Sequence, residues 1–262
     1  MAGMIGESFD GLVCDMDGVL YRGSDPIPGA AGAIARLRER GVRVLFCTNN
    51  SHFTVTQYVE RLARFGIASS ADDILTSGIV AADVLRERGF QGKTALVVGG
   101  EGVREALGSV CISVKDDPEV TAADVVVVGW DPEFTYPAMR RAADAVRKGA
   151  AFVATNSDAT FPARDGLWPG AGAILASIQT ASGRVAEVVG KPNPPMTEAT
   201  ARRLEGCERI AVLGDRPDTD LAMGVARGWS TILVLSGVTA AADVDRLDQK
   251  PDHVIASLAE LV

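Results

Sequence analysis

Histidine is almost missing from this chain: His52 and His253 are the only two in 262 residues. That leaves little room for a histidine-based zinc site and makes a Ser-His-Asp hydrolase a poor first expectation, since Ser51-His52 has no convincing triad partner. The four cysteines, Cys14, Cys47, Cys111 and Cys207, form no Cys-x-x-Cys pair, so zinc-ribbon and redox motifs are excluded. Cys14 and Cys47 lie in apolar runs and read as small packing residues. No apolar stretch is long enough to span a bilayer, and the segment from Met1 to Phe9 lacks a basic stretch followed by an apolar one. A soluble, reduced, cytoplasmic protein is the expectation. Positive charge is in deficit, with Lys+Arg 26 against Asp+Glu 34 and a formal net charge of −8. This argues against a general nucleic-acid or anionic-membrane binder while leaving room for a local basic pocket.

What is present is an ordinary globular composition, 47% hydrophobic and 23% charged, at a length suited to one large domain or a domain with a second one inserted. Short apolar runs alternate with longer amphipathic segments. Strands are predicted over 11–14, 42–47, 94–98, 124–128, 151–154, 209–213 and 231–235. Helices are predicted over 30–40, 54–65, 79–88, 101–107, 136–147, 171–181 and 220–226, several stopped by a glycine. The order implies parallel sheets covered by helices. There are too many strands for one open sheet of modest width, so two α/β units, one inserted in the other, are expected.

The chemistry-bearing residues concentrate just after apolar strands, where open parallel sheets place their ligands. Asp15-Met-Asp17-Gly follows the first strand. Alone, a solvated acidic turn is the minority reading. The other reading is a nucleophilic carboxylate, a second carboxylate for acid–base work and a hard cation. An EF-hand is excluded, because the run continues Val-Leu-Tyr without further oxygen ligands. Thr48-Asn49-Asn50-Ser51 follows the second strand, and suits either a helix cap or phosphoryl oxygens. Val189-Gly190-Lys191-Pro192 holds one of only five lysines in a turn. Alone, that lysine reads as a surface residue. Gly214-Asp215-Arg216-Pro217-Asp218-Thr219-Asp220 again runs from a strand into carboxylates. Asp218 or Thr219 suits a helix cap, whereas Asp215 comes too early for that and is the metal-ligand candidate. Two glycine-rich runs carry less. In 89–94 the first glycine of a P-loop is replaced by Glu87, and Val98-Gly-Gly-Glu-Gly102 lacks dinucleotide-binding spacing.

Together these four motifs resemble those of the haloacid dehalogenase-like phosphohydrolase superfamily: Asp-x-Asp-Gly-Val, Thr-Asn-Asn-Ser, Gly-Lys-Pro and Gly-Asp-Arg-x-x-Thr-Asp, in that order at strand ends. The run Gly-Val-Leu-Tyr-Arg-Gly after Asp17, then Ile27-Pro-Gly-Ala, then Asp165-Gly-Leu-Trp-Pro-Gly-Ala-Gly172, is similar to its NagD-like or p-nitrophenylphosphatase branch. The resemblance covers nearly the whole chain. It implies an α/β fold with a Rossmann-like, doubly wound parallel-sheet core over 1–81 and 183–262, and an inserted α/β cap domain over 82–182.

The same resemblance implies a Mg²⁺-dependent phosphatase acting on small-molecule phosphate monoesters. Asp15 would attack phosphorus to give an aspartyl-phosphate, and Asp17 would serve as acid, then base. Mg²⁺ would bind Asp15, the backbone carbonyl of Asp17, and Asp215, with Asp220 supporting that shell. Thr48, Asn49 and Lys191 would hold the phosphoryl group. Asn156, Asp158 and Phe161, in a loop after a strand, would face the leaving group, or else form a turn internal to the cap. The need for a cation follows from magnitude: like unit charges about 4 Å apart repel by about 4 kcal/mol at an effective dielectric near 20. Arg216 departs from the Asn of many relatives, with either a salt bridge to the acidic cluster or second-sphere orientation as its role. The implied partner is a small phosphate ester, with no nucleic acid and no membrane, and the cap could mediate a homodimer. Asp17 argues against a dehalogenase and the context of the cap lysines against a phosphonatase. A non-catalytic, phosphate-sensing regulatory module on the same fold is the alternative.

Overall fold

The computed structural model describes residues 9–115, 117, 119–163 and 166–262; residues 1–8 and Asp165 of the motifs above lie outside them. The chain opens with β1 (Gly11–Cys14), all four residues buried. A two-residue hairpin follows, β2 (Tyr21–Arg22) with β3 (Asp25–Pro26). Helix α1 (Ala30–Glu39) turns Ala30, Ala33, Ile34 and Leu37 inward, the spacing of one helical face. After β4 (Arg43–Thr48), helix α2 (Val55–Arg64) begins at a capping box in which Thr54 and Gln57 exchange side-chain and backbone bonds. His52 lies just before the cap, outside the helix. Then come β5 (Ile74–Thr76) and α3 (Ser77–Glu87).

A second sheet begins here. Its elements are β6 (Thr94–Val98), α4 (Glu101–Ser109), β7 (Ser113–Val114), β8 (Val125–Val128), α5 (Tyr136–Arg147) and β9 (Ala151–Ala154). They are followed by an antiparallel hairpin, β10 (Thr160–Ala163) with β11 (Gly166–Pro169), then α6 (Ala171–Ser182) and β12 (Glu187–Val188). The chain ends with α7 (Pro194–Arg203), β13 (Ile210–Gly214), a π-type turn (Pro217–Leu221), α8 (Ala222–Arg227), β14 (Ser230–Val234) and β15 (His253–Ile255).

The first sheet has six parallel strands in the order β15-β14-β13-β1-β4-β5, and the second has five in the order β12-β9-β8-β6-β7. In the first, the chain leaves β1 toward β4 and later returns to β1's other side through β13. That reversal opens a crevice at the carboxyl ends of β13, β1 and β4. In the second, β8 is four consecutive valines, all fully buried, as a parallel strand covered on both faces requires. Each such valine contributes about 1.5–3 kcal/mol of burial. The second sheet takes its edge strand from 187–188, beyond residue 182.

The two sheets are not separate bodies. One apolar cluster runs from Val13 and Leu45 of the first sheet, through Ala81 and Leu85 of α3, to Val97 and Val127 of the second. The loop after β4 closes the seam from the other side. Gly102 N–H donates to His52 O at 2.9 Å, and a Cβ on Gly100 or Gly102 would overlap the carbonyls of His52 and Phe53. The glycines of Val98-Gly-Gly-Glu-Gly102 thus admit a neighbouring stretch of the same chain, and the weak nucleotide reading of that run is replaced by a packing one. Ser51 Oγ reaches Thr155 Oγ1, at the end of β9, at 3.0 Å.

Candidate active site

The residues expected to bind metal, phosphoryl group and leaving group all line one open pocket between the two sheets. On its floor, Lys191 enters from the turn after β12, almost wholly buried. Its ammonium donates to Asp15 Oδ1 at 2.6 Å, approaches Asp220 Oδ1 at 2.7 Å and donates to Cys47 O at 2.8 Å. Burial alone would lower its pKa, but Asp15 and Asp220 raise it well above the ordinary lysine range.

Asp15, Asp215 and Asp220 each bring a carboxylate oxygen within 4.8 Å of the others. Asp215 Oδ2 accepts from Val238 N–H at 2.6 Å, and Asp220 Oδ2 from Arg216 N–H at 3.1 Å. Gly18, at φ 84°, and Gly237 press so closely on Asp215 that no Cβ would fit at either. Burial, reinforced by Asp220, pushes Asp215 up to about 7. Burial also raises Asp15, with Lys191 opposing and Asp220 and Asp215 reinforcing. Three crowded carboxylates against one ammonium is a surplus of negative charge in a set of hard oxygen donors, the chemistry that fits a hard divalent cation. Asp220 stands in the same cluster as the other two carboxylates, with Oδ1 facing Lys191 and Oδ2 held by Arg216 N–H.

Asp17 is half-buried at the turn after β1. Burial raises it to about 6, against the opposing charges of Arg61 and Lys191. A carboxyl held there can both give and take a proton near neutrality.

Asn49 is spent on structure. Its Oδ1 accepts from Lys191 N–H at 2.7 Å, and its Nδ2 donates to Lys191 O at 3.2 Å and to Asp158 Oδ2 at 2.9 Å. Its side chain therefore clamps the lysine turn to the second sheet. Thr48 Oγ1 accepts from Asn50 N–H at 3.0 Å. Asn50 also lines the cavity, with Oδ1 fixed by His52 N–H and Nδ2 enclosed without a partner. It was missed although it stands inside Thr-Asn-Asn-Ser, because a sequence does not tell which of two adjacent amides is left unspent.

The chain is similar to known proteins. Residues 12–112 match the model of the haloacid dehalogenase-like hydrolases, and residues 188–261 that of a second HAD-hydrolase-like family. The chain is 34% identical over 252 residues, 95% of each sequence, to an acid sugar phosphatase of Staphylococcus epidermidis. The chain belongs to the haloacid dehalogenase-like hydrolases. Among solved structures, a 4-nitrophenylphosphatase from Thermotoga maritima superimposes with a TM-score of 0.89 at 32% identity, covering 98% of this chain and 97% of that one. A glycerol phosphate phosphatase from Mycobacterium tuberculosis in complex with magnesium gives 0.88 at 32% identity, covering 100% and 78%.

In this member of the hydrolase family the cavity roof comes from the second sheet. The expected loop of 154–162 turns out to end in strand β10, where Phe161 pairs with Trp168 across the hairpin. Asn156 Nδ2 donates to Asp158 Oδ2 at 2.5 Å. The Arg216 guanidinium donates to Thr160 O at 3.1 Å, tying the first sheet to the hairpin, while its backbone N–H holds Asp220 of the acidic cluster. Trp130, after β8, lines the same wall and was not singled out in the sequence, where a lone tryptophan beyond a valine strand reads as packing.

Proposed function

We infer that the protein is a phosphatase of small phosphate monoesters working through an aspartyl-phosphate on Asp15. The observation that carries this is the meeting, in one cavity, of a buried carboxylate paired to Lys191 with a second carboxyl, Asp17, whose pKa is about 6. Asp15 attacks phosphorus as the ester P–O bond breaks, and Asp17 gives its proton to the leaving oxygen. Asp17 then takes a proton from water as that water attacks phosphorus. The Asp15–phosphoryl bond breaks and inorganic phosphate leaves. Lys191 offsets the charge of the incoming phosphoryl group, and Thr48 and Asn49 belong to the loop that receives it.

Mg²⁺ is the cofactor, supported by the donor set of Asp15, Asp215 and Asp220, with the Asp17 backbone carbonyl as a further ligand. Bound there, it supplies neutralisation of phosphoryl charge. Residues 1–81 and 183–262 serve as the catalytic core and 82–182 as the cap, with the cap's sheet completed at one edge by β12 from the core segment. The cap exposes Tyr136 and Leu167, and a homodimer through it is the proposed assembly. No helix of the described residues is long and apolar enough to cross a membrane.

The test is hydrolysis of p-nitrophenyl phosphate with Mg²⁺ and after chelation. Metal-dependent turnover is expected. A single stoichiometric release of phosphate without turnover would instead indicate a regulatory module.

A further inference from the structure

Trp130 is held at three points by three different parts of the chain. Its indole Nε1–H donates to Pro169 O, at the end of β11, at 3.1 Å. Its ring lies on Phe161 of β10, with centroids 4.2 Å apart and planes at 23°. On another side the His52 ring packs edge-on at 5.2 Å and 63°. His52 follows the Thr48–Ser51 motif directly, so the indole is registered on the loop expected to receive the phosphoryl group. A side chain fixed in this way meets a ligand with little conformational freedom left to lose.

Several polar atoms of the roof are already engaged. Asp158 Oδ2 takes amides from Asn49 and Asn156, and Thr160 O takes the Arg216 guanidinium. The flat apolar area of the wall is the Trp130–Phe161 pair. A ring covers such a surface with an apolar face, while a three-carbon open chain covers much less of it.

We propose that Trp130 is a specificity-determining residue: the platform on which the ring of the leaving group lies, so that the site favours cyclic over open-chain phosphate monoesters. This rests on the phosphatase reading above. The ring can be a sugar, which turns its C–H face to the indole, or an aryl group.

The experiment measures kcat and KM, with Mg²⁺, for glucose 6-phosphate, p-nitrophenyl phosphate and glycerol 3-phosphate, and the inhibition constant of inorganic phosphate. The proteins are the wild type, Trp130→Ala and Trp130→Phe. Trp130→Ala should raise KM about ten-fold for both ring esters. It should leave the glycerol ester and phosphate inhibition within about two-fold, and Trp130→Phe should recover most of the loss. A KM rise confined to glucose 6-phosphate or to p-nitrophenyl phosphate supports the platform and identifies which ring it takes. Equal losses on all three esters, or unchanged KM for both rings, overturn the proposal. If Trp130→Ala does not fold, Trp130→Phe and Trp130→Leu decide it, a flat ring being required for the preference. Should the wild type hydrolyse none of the esters, the phosphatase reading itself fails and the proposal falls with it.

Discussion

Asn49 and Asp158 meet across the seam between the two sheets, amide Nδ2 to carboxylate Oδ2, at 2.9 Å. The same amide holds both the N–H and the carbonyl of Lys191. Asn49→Ala should therefore loosen the lysine turn and the roof together. Leaving a buried donor or acceptor unmatched costs about 1–3 kcal/mol, and denaturant unfolding should register a loss of that order. Asp158→Ala should cost less, since Asp158 is half-buried and gives up only the roof side of the clamp. Equal stability of Asn49→Ala and wild type would refute the clamp.

Asp15→Asn retains shape and removes the attacking oxygen. Turnover should fall to background on every ester, with the far-ultraviolet circular dichroism unchanged. Near-normal hydrolysis by a clean preparation would remove Asp15 as the nucleophile.

Asp17→Asn should separate substrates by leaving group. Proton transfer by a positioned side chain is worth roughly 10²–10⁴-fold, and glycerol 3-phosphate should lose about that much in kcat. p-Nitrophenyl phosphate should lose less, because nitrophenolate departs without a proton. Identical losses on the two would contradict the acid role.

Lys191→Ala and Phe161→Ala should differ in kind. Removing an active-site donor costs roughly 2–4 kcal/mol in the transition state, so Lys191→Ala should depress kcat/KM on all esters alike and weaken phosphate inhibition. Phe161→Ala should reorder the esters while phosphate inhibition stays constant. A uniform drop for Phe161→Ala would reduce that ring to hairpin packing.

Acid should reveal two carboxylates far from the cavity. Asp124 accepts from Thr94 N–H and Oγ1 at 2.8 and 2.7 Å, and Asp10 accepts from the N–H groups of Glu208 and Arg209 at 3.1 and 2.9 Å. The Thr94 backbone bond lowers Asp124 below the usual carboxylate range, and the Arg209 backbone bond does the same for Asp10. Because the folded pKa is the lower one, their stabilisation is present above the unfolded value, near 3.9, and disappears as pH falls through the folded one. Asp124→Ala should be less stable than wild type at pH 7, with the gap closing as pH falls below the ordinary carboxylate range. A gap constant with pH would show that the hydrogen bonds, rather than the charge, matter.

The core motifs were legible because a buried parallel strand ends in a sharp change of composition. Cys14 to Asp15, Cys47 to Thr48 and Leu213 to Gly214-Asp215 all pass from apolar to polar in one step. Elements too short to show a period escaped, among them β5 and β15 with three residues each. Helix α7 escaped because its mean hydropathy is low and it opens Pro-Pro, although proline suits a first helical turn. The roof was harder still. Phe161, Trp130 and Arg216 act through contacts 31 and 56 residues apart in sequence, and no local pattern announces which distant segment an exposed ring or guanidinium will meet.

The carboxyl edge of a parallel sheet is where such folds usually hold something that comes and goes. In the second sheet that berth is occupied by the core's own loop at His52 and Phe53, seated on Gly100 and Gly102. A tethered occupant has a high effective concentration at its seat. The insert is thus welded rather than hinged along this seam. Together with the shared apolar cluster, this makes the two sheets one cooperative unit, which should melt in a single transition with equal calorimetric and van't Hoff enthalpies. Transplanting the insert onto a related core would then require carrying that core's loop along with it.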